Sequence, residues 1–289
     1  MEYWGWLNNM KQVELDKKAY NFAKQYLLNL QIVSVTPKLL DKYLCLSEIT
    51  PRPDSLAKIY KSLLESAQNA NMKAGVIGKA IGGVEKLKPV LCGFDPPVVI
   101  TKFEGWEQVL ELIEKELKPA GKIRKTSRSL WPQYCKTILS GASFLSEFAT
   151  ADEFYSWVDF FDQDDRARPA LPMLLSQEIN GLGFPLSCDF LKELGYVNFA
   201  KPDVHLKEIF KSIGLCSSEV KDYEVFKAIV RVAKNVSTTP YDVDKLFWLI
   251  GSGYFYDDKH IGNNGKIGSH KKDFITQAQK ALNVTLPAI

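Results

Sequence analysis

Residues 179–206 read INGLGFPLSCDFLKELGYVNFAKPDVHL. Two glycines two apart separate the end of one apolar run (LLSQEI, 174–179) from the start of another (FPLSCDFLKEL, 184–194). Pro185 stands in the first turn of the second run, where its missing N–H costs least. The pattern predicts a helix, a tight hairpin and a second helix. Gly181 and Gly183 lack a Cβ, so the turn can take positive φ and let a phosphate backbone approach its amides at the N-terminus of the following helix. Such a grip reads no base sequence. Taken alone, a GLG turn is an ordinary corner between two core helices. Further on, in KPDVHL, Pro202 closes an irregular segment and Asp203 is placed to open the next helix, 18 residues after Pro185. A carboxylate there is an N-cap, a role worth about 1 kcal/mol.

Outward from this stretch, helical periodicity dominates. VELDKKAYNFAKQYLLNL (13–30) repeats apolar residues at three and four, and SLAKIYKSLLESAQNA (55–70) does so after the Pro51/Pro53 breaker, with Asp54 or Ser55 as its N-cap. Segment 74–103 is punctuated by glycine and proline between short apolar runs such as PVVITKF and reads as a loop-rich joint with room for one short strand, which sets a boundary near residue 103. Beyond it, helices are expected at 105–119, 133–148, 151–161, 169–179, 186–195, 203–213, 222–234 and 241–250. The glycine-rich 251–268 reads as an extended surface loop before a last helix at about 270–283. The class is therefore all-α, with a mostly helical N-terminal region (1–103) and a second region (104–289).

The chain has 289 residues, 46% hydrophobic and 25% charged, a globular balance that excludes disorder. A formal net charge of +3 permits a polyanionic partner without arguing for one. Five scattered cysteines (Cys45, Cys92, Cys135, Cys188, Cys216) with no CxxC pair suit reduced thiols in the cytoplasm. Three histidines and these cysteines give no zinc spacing, and no GxxxxGK[ST] or GxGxxG motif occurs, so no metal or nucleotide cofactor is expected. No signal-peptide pattern and no run of about 18 apolar residues is present, so a soluble monomer with no membrane association is expected, in the cytoplasm, or on the nucleoid if the source is bacterial.

The sequence INGLGFPLSCDFL followed by KPDVHL, with ILSGAS (138–143) upstream, resembles the helix-hairpin-helix base-excision DNA glycosylases, the superfamily of endonuclease III. The resemblance covers about 105–255, where DVDKLFWLIGSG (242–253) is similar to a helix that often closes the fold. It implies a helix-hairpin-helix glycosylase-like fold with a helical N-terminal extension. It also implies that Gly181, Leu182 and Gly183 grip double-stranded DNA, that Asp203 is catalytic and that His205 is structural. Bifunctional members carry a lysine where Pro185 stands, so the resemblance implies hydrolysis without a Schiff base. The cysteine-ligated iron-sulfur cluster of some members has no counterpart, since no cysteine follows Cys216. A monovalent cation at the hairpin is a further implication. Where the family often reads Ser-Ala-Gln, Gly141 and Ala142 stand here instead.

The activity implied is cleavage of the N-glycosidic bond of a damaged or modified base flipped out of the duplex. An ionised Asp203 would stabilise the oxocarbenium-like sugar and orient or deprotonate water. Lys122, Arg124, Lys125, Arg128 and Lys201 are candidate phosphate contacts, the first four within seven residues; a solvated charge run is the other reading. Trp131, Tyr134, Phe144, Phe148 and Trp248 are candidates for stacking on the base, and equally fit core packing by their spacing. A catalytically inactive hairpin protein that binds DNA or another partner, and a helical scaffold without nucleic acid, are the alternatives.

Overall fold

The computed structural model describes residues 2–30, 35–44, 52–69, 76–217, 219 and 221–283, with side chains from residue 10. Cys45, Pro51 and residues 74 and 75 lie outside these. The described chain is helical, with no strand and two isolated bridges among the described residues. It divides into two compact units, Met1–Ile49 with Val197–Ile289, and Thr50–Tyr196. Residue 103, where the sequence places a boundary, lies inside the second of these.

The first unit joins the N-terminal helices α1 (Glu2–Asn29) and α2 (Pro37–Leu44) to the helices that follow Val197. The helices of the other unit are α3 (Leu56–Ala67), α4 (Val76–Ile81), α5 (Pro96–Lys102), α6 (Trp106–Leu117), α7 (Leu130–Leu145), α8 (Ala151–Asp162), α9 (Ala170–Glu178) and α10 (Phe184–Glu193). The first unit then resumes with α11 (Val204–Ser212), α12 (Asp222–Val236), α13 (Pro240–Ser252) and α14 (Lys271–Ala281). Helix α1 packs on α12, α13 and α14, and α2 on α13. Ala19, Ala23, Leu27 and Leu40 are fully buried with Leu206, Phe210, Ile229 and Phe247 in one apolar core. The buried Asp16 of α1 accepts hydrogen bonds from Arg231 at 2.9 and 3.1 Å and from Asn235 at 2.7 Å. A buried charge is tolerated only with such partners. Helices α1 and α2 thus complete the core beneath the helix that Asp203 opens.

In the second unit α7 is central, with α3, α5, α6 and α9 packed on it. Tyr60 of α3 donates to the Ile138 carbonyl at 2.7 Å, and Tyr134 of α7 donates to the Leu64 carbonyl at 3.1 Å. Gly141 and Ala142 lie buried at this seam, where a Cβ on Gly141 would come within 3.0 Å of Leu63. The glycine is explained by this close approach.

Segment 76–103 differs from the expected joint with a strand. It forms α4, two 3-10 turns (Val84–Leu87 and Cys92–Phe94) and α5. Asp95 caps α5 by accepting from the Val98 amide, and Pro96 and Pro97 fill the first turn. Those start signals and the burial of Val99 outweigh the strand preference of VVIT. The tail 253–270 also differs from an extended surface loop. It folds back through a Tyr254–Lys266 bridge and buries Phe255 and Ile261 completely. Helix α2 had no counterpart in the sequence reading, and Ser55 is the N-cap of α3 while Asp54 pairs with Lys58 at 2.8 Å.

Candidate active site: a braced hairpin and a capping aspartate

The hairpin belongs to the second unit. Helix α9 stops at Ile179, whose extended backbone leads into Gly181 at φ +76°, and Gly183 is the N-cap of α10. Ile179 and Leu182 are fully buried and anchor the turn, while Asn180, Gly181 and Gly183 are exposed. The Leu182 amide donates to the Ile179 carbonyl at 3.1 Å. The Gly181 and Gly183 amides donate to no acceptor among the described residues. Pro185 occupies the second position of α10.

Helix α7 braces this turn through two residues that the sequence reading missed. Thr137 donates to the Asn180 carbonyl at 2.5 Å, and the Asn180 amide donates to the Ser140 hydroxyl at 2.9 Å. Both peptide groups of the exposed turn are thereby tied to a central helix. Ser187, fully buried, donates to the carbonyls of Leu182 at 3.2 Å and Gly183 at 3.3 Å. The only signal available in the sequence was a Thr and a Ser three apart on α7, one face of a helix.

Lys122, Arg124, Lys125 and Arg128 lie exposed in the segment 118–129 between α6 and α7 of the same unit. Lys125 pairs with Glu114 at 2.6 Å. Lys122, Arg124 and Arg128 form no ion pair among the described residues. Trp131 and Tyr134 are buried in α7 and meet edge to face, and Phe144 is buried among Phe148 and Trp157.

Asp203 belongs to the first unit and is half-buried at the N-cap of α11. Its Oδ1 accepts from the His205 amide at 2.8 Å and the Leu206 amide at 3.0 Å. Its Oδ2 accepts no hydrogen bond from the described residues. Burial raises its pKa above the ordinary aspartate value, against the Leu206 amide; the negative charge of Asp244 adds to the rise, and the positive charges of His205 and Lys201 oppose it. The cap is therefore a carboxylate with one oxygen committed to the helix and the other uncommitted, and with an enhanced affinity for a proton.

Asp244 is the third residue missed. It lies on the buried face of α13, 3% exposed, and accepts from the Lys201 backbone amide at 2.9 Å. An aspartate on an apolar helix stripe was the readable signal, since a buried carboxylate demands a partner. His205 packs its Cβ against Gly251 of α13, where a Cβ would come to 2.5 Å, and its Nδ1 is buried without a hydrogen-bond partner among the described residues. Trp248 is half-buried beside Tyr256, with the Lys245 ammonium 5.4 and 4.8 Å from their ring centres.

No group of three or more His, Cys, Asp or Glu among the described residues could hold a metal ion. The Ile179, Asn180 and Leu182 carbonyls each keep a lone pair beyond their bond within the unit, which is compatible with a monovalent cation. No described helix is long and apolar enough to cross a membrane.

Among solved structures, the chain is similar to an 8-oxoguanine glycosylase/lyase of Methanocaldococcus jannaschii in complex with a 15mer DNA containing 8-oxoguanine. The two share 16% identity over 83% of this chain and 98% of that one, with a TM-score of 0.47. A second structure of the 8-oxoguanine DNA glycosylase from that organism shares 18% identity over 81% and 94%, TM-score 0.48. Tm1821, the 8-oxoguanine DNA glycosylase of Thermotoga maritima, shares 16% over 82% and 96%, TM-score 0.45. Its structural neighbours are 8-oxoguanine DNA glycosylases. No family model matches the chain, and no curated protein matches it.

Proposed function

We propose that this protein is a monofunctional DNA glycosylase that hydrolyses the N-glycosidic bond of a damaged or modified base. The observation that carries the proposal is the division of labour at Asp203, whose Oδ1 caps α11 while Oδ2 is uncommitted. A carboxylate used only as a cap gains nothing from a raised pKa. A carboxylate that must accept a proton from water does.

The exposed Gly181 and Gly183 amides, held rigid by Thr137 and Ser140, would bind phosphate without regard to sequence, with Lys122, Arg124 and Arg128 adding charge. Lys201, on the segment leading to Asp203 in the other unit, is proposed to make a phosphate contact of its own. Gripping the backbone in this way favours extrusion of a base, which costs about a few kcal/mol and least for a damaged or mismatched pair. As the C1′–N bond breaks, the ionised Asp203 stabilises the positive sugar. A water oxygen bonds to C1′, its proton passes to Oδ2, and the bond's electron pair leaves with the base, which takes its proton from solvent. Pro185 offers no amine, so no Schiff base forms at that position and the sugar is left intact. This reading parts from the M. jannaschii neighbour, which is a glycosylase/lyase.

The test is incubation with duplexes carrying uracil, alkylated purines, oxidised guanine or mismatches, followed by alkali. Abasic sites made by the wild type and abolished in Asp203→Asn, with DNA binding retained, are expected. Binding without cleavage across the panel would overturn the enzymatic reading in favour of a DNA-binding module, and a borohydride-trapped adduct would overturn the monofunctional one.

A further inference from the structure

We propose that Asp244 is a positioning residue for Asp203, fastening the segment that delivers it and facing it with a second negative charge; this rests on the catalytic reading of Asp203. The segment Lys201–Asp203 precedes the helix and has no helical hydrogen bonds of its own to hold it. Its inner bond runs from the Asp203 amide to the Lys201 carbonyl at 2.8 Å, which makes the three residues one tight bend. The bend is tied to α13 by the Lys201 amide, which donates to Asp244 Oδ2 at 2.9 Å, across 43 residues of sequence. On the other side of Asp203 the bend is tied to α11 by the two capping amides. Asp203 is thus fixed from both flanks, and one of the two anchors is itself an acid.

That anchor need not be an acid to accept a backbone N–H, since a serine, an asparagine or a carbonyl would do. A carboxylate buried on the apolar stripe of α13 costs desolvation that a neutral acceptor would not. Among its effects, the Asp244 charge repels the Asp203 carboxylate. The groups that face Asp203 are Asp244 from α13, the His205 and Lys201 side chains on its own segment, and the Leu206 amide of α11. Of the other charged side chains of α11, Lys207 pairs with Asp222 of α12 and Glu208 with Lys271 of α14, while Lys211 lies in the last turn, at the far end of the helix from Asp203. Asp244 is the acidic member of the set, and it works with burial to make Asp203 a stronger base than an ordinary N-cap aspartate.

Asp244→Asn separates the two roles, because the side-chain oxygen still accepts from Lys201 while the charge is gone. Asp244→Glu keeps the charge, and Asp244→Ala removes both. The readout independent of catalysis is the titration of the Asp203 side-chain carboxyl followed by carbon NMR, and the catalytic one is the pH dependence of single-turnover base excision. Asp203 is expected to titrate above the ordinary aspartate range in the wild type, to shift toward lower pH in Asp244→Asn, and to stay raised in Asp244→Glu. The acid limb of the excision profile should move with it, and Asp244→Ala should lose on the order of tenfold in rate beyond Asp244→Asn, the equivalent of one hydrogen bond. An Asp203 that titrates normally in the wild type, or equally in wild type and Asp244→Asn, overturns the proposal. A normal wild-type titration overturns it even where no variant folds. A shift in the NMR titration with no excision of any lesion instead overturns the glycosylase reading and leaves the coupling of the two acids established.

Discussion

The Thr137 hydroxyl stands 2.9 Å from the place a Cβ on Gly181 would occupy, while it donates to the carbonyl of the preceding Asn180. Gly181 is therefore required twice, once for its left-handed backbone and once because the brace leaves no room for a side chain. Gly181→Ala should destabilise the protein by about 1–2 kcal/mol from backbone strain, and more from the contact. Thr137→Ala in the same chain should relieve the contact but not the strain. Denaturation midpoints of the single and double variants measure the coupling, and additive effects would mean the contact is not felt.

Replacing Asp203 tests cap and chemistry separately. Asp203→Asn keeps an oxygen for the His205 and Leu206 amides, so it should be at least as stable as wild type while base excision is lost. Asp203→Ala should lose excision and about 1 kcal/mol of stability as well. Urea denaturation of both variants, run beside the excision assay, distinguishes these outcomes.

The raised pKa of Asp203 has a sign in stability as well as in rate. An aspartate that holds its proton more tightly when folded adds stability that is fully present below its unfolded value, near 3.8, and is lost as pH rises through the folded value. Wild type should therefore lose stability relative to Asp203→Asn as pH rises above about 4. Excision should rise over the same interval as the base becomes ionised. A stability difference that is flat with pH would show that Asp203 titrates normally.

The exposed cations of segment 118–129 divide by pairing. Lys122, Arg124 and Arg128 should each contribute to DNA affinity regardless of sequence, and replacing any of them by Ala should reduce the slope of log affinity against log salt by about 1. Lys125, held by Glu114 at 2.6 Å, should contribute less. Fluorescence anisotropy over a salt series measures each slope.

Gly251 should be as intolerant as Gly181 for a different reason. Its backbone needs no positive φ, but a Cβ would come to 2.5 Å from His205 Cβ and 2.9 Å from its Cγ. Overpacking there should cost about 1–3 kcal/mol, read as a fall in melting temperature.

Several features were legible because their physics is local. An aspartate after Pro202 and before an amphipathic run makes its cap with amides two and three residues on, so its role in α11 follows from neighbours in sequence. The glycine turn before Pro185 is of the same kind, as are the periods of α6 to α13. The room left for a short strand within 74–103 is not used among the described residues; PVVITKF lies largely in α5, because β-branched propensity is a weak prior and Asp95, Pro96 and Pro97 supply start signals for a helix.

The sequence by itself determined an all-α chain, a two-glycine hairpin with Pro185 two residues after its second glycine, and an aspartate poised at a helix N-terminus 18 residues after that proline. Only the tertiary structure decided what holds those parts. Thr137 reaches Asn180 across 43 residues, Ser140 reaches it across 40, and Asp244 reaches Lys201 across 43. It also decided that α1 and α2 complete the core under α11. The physical reason is the same in each case: caps and turns satisfy backbone groups a few residues away, whereas a brace or a buried charge is fixed by whichever distant helix the packing brings alongside.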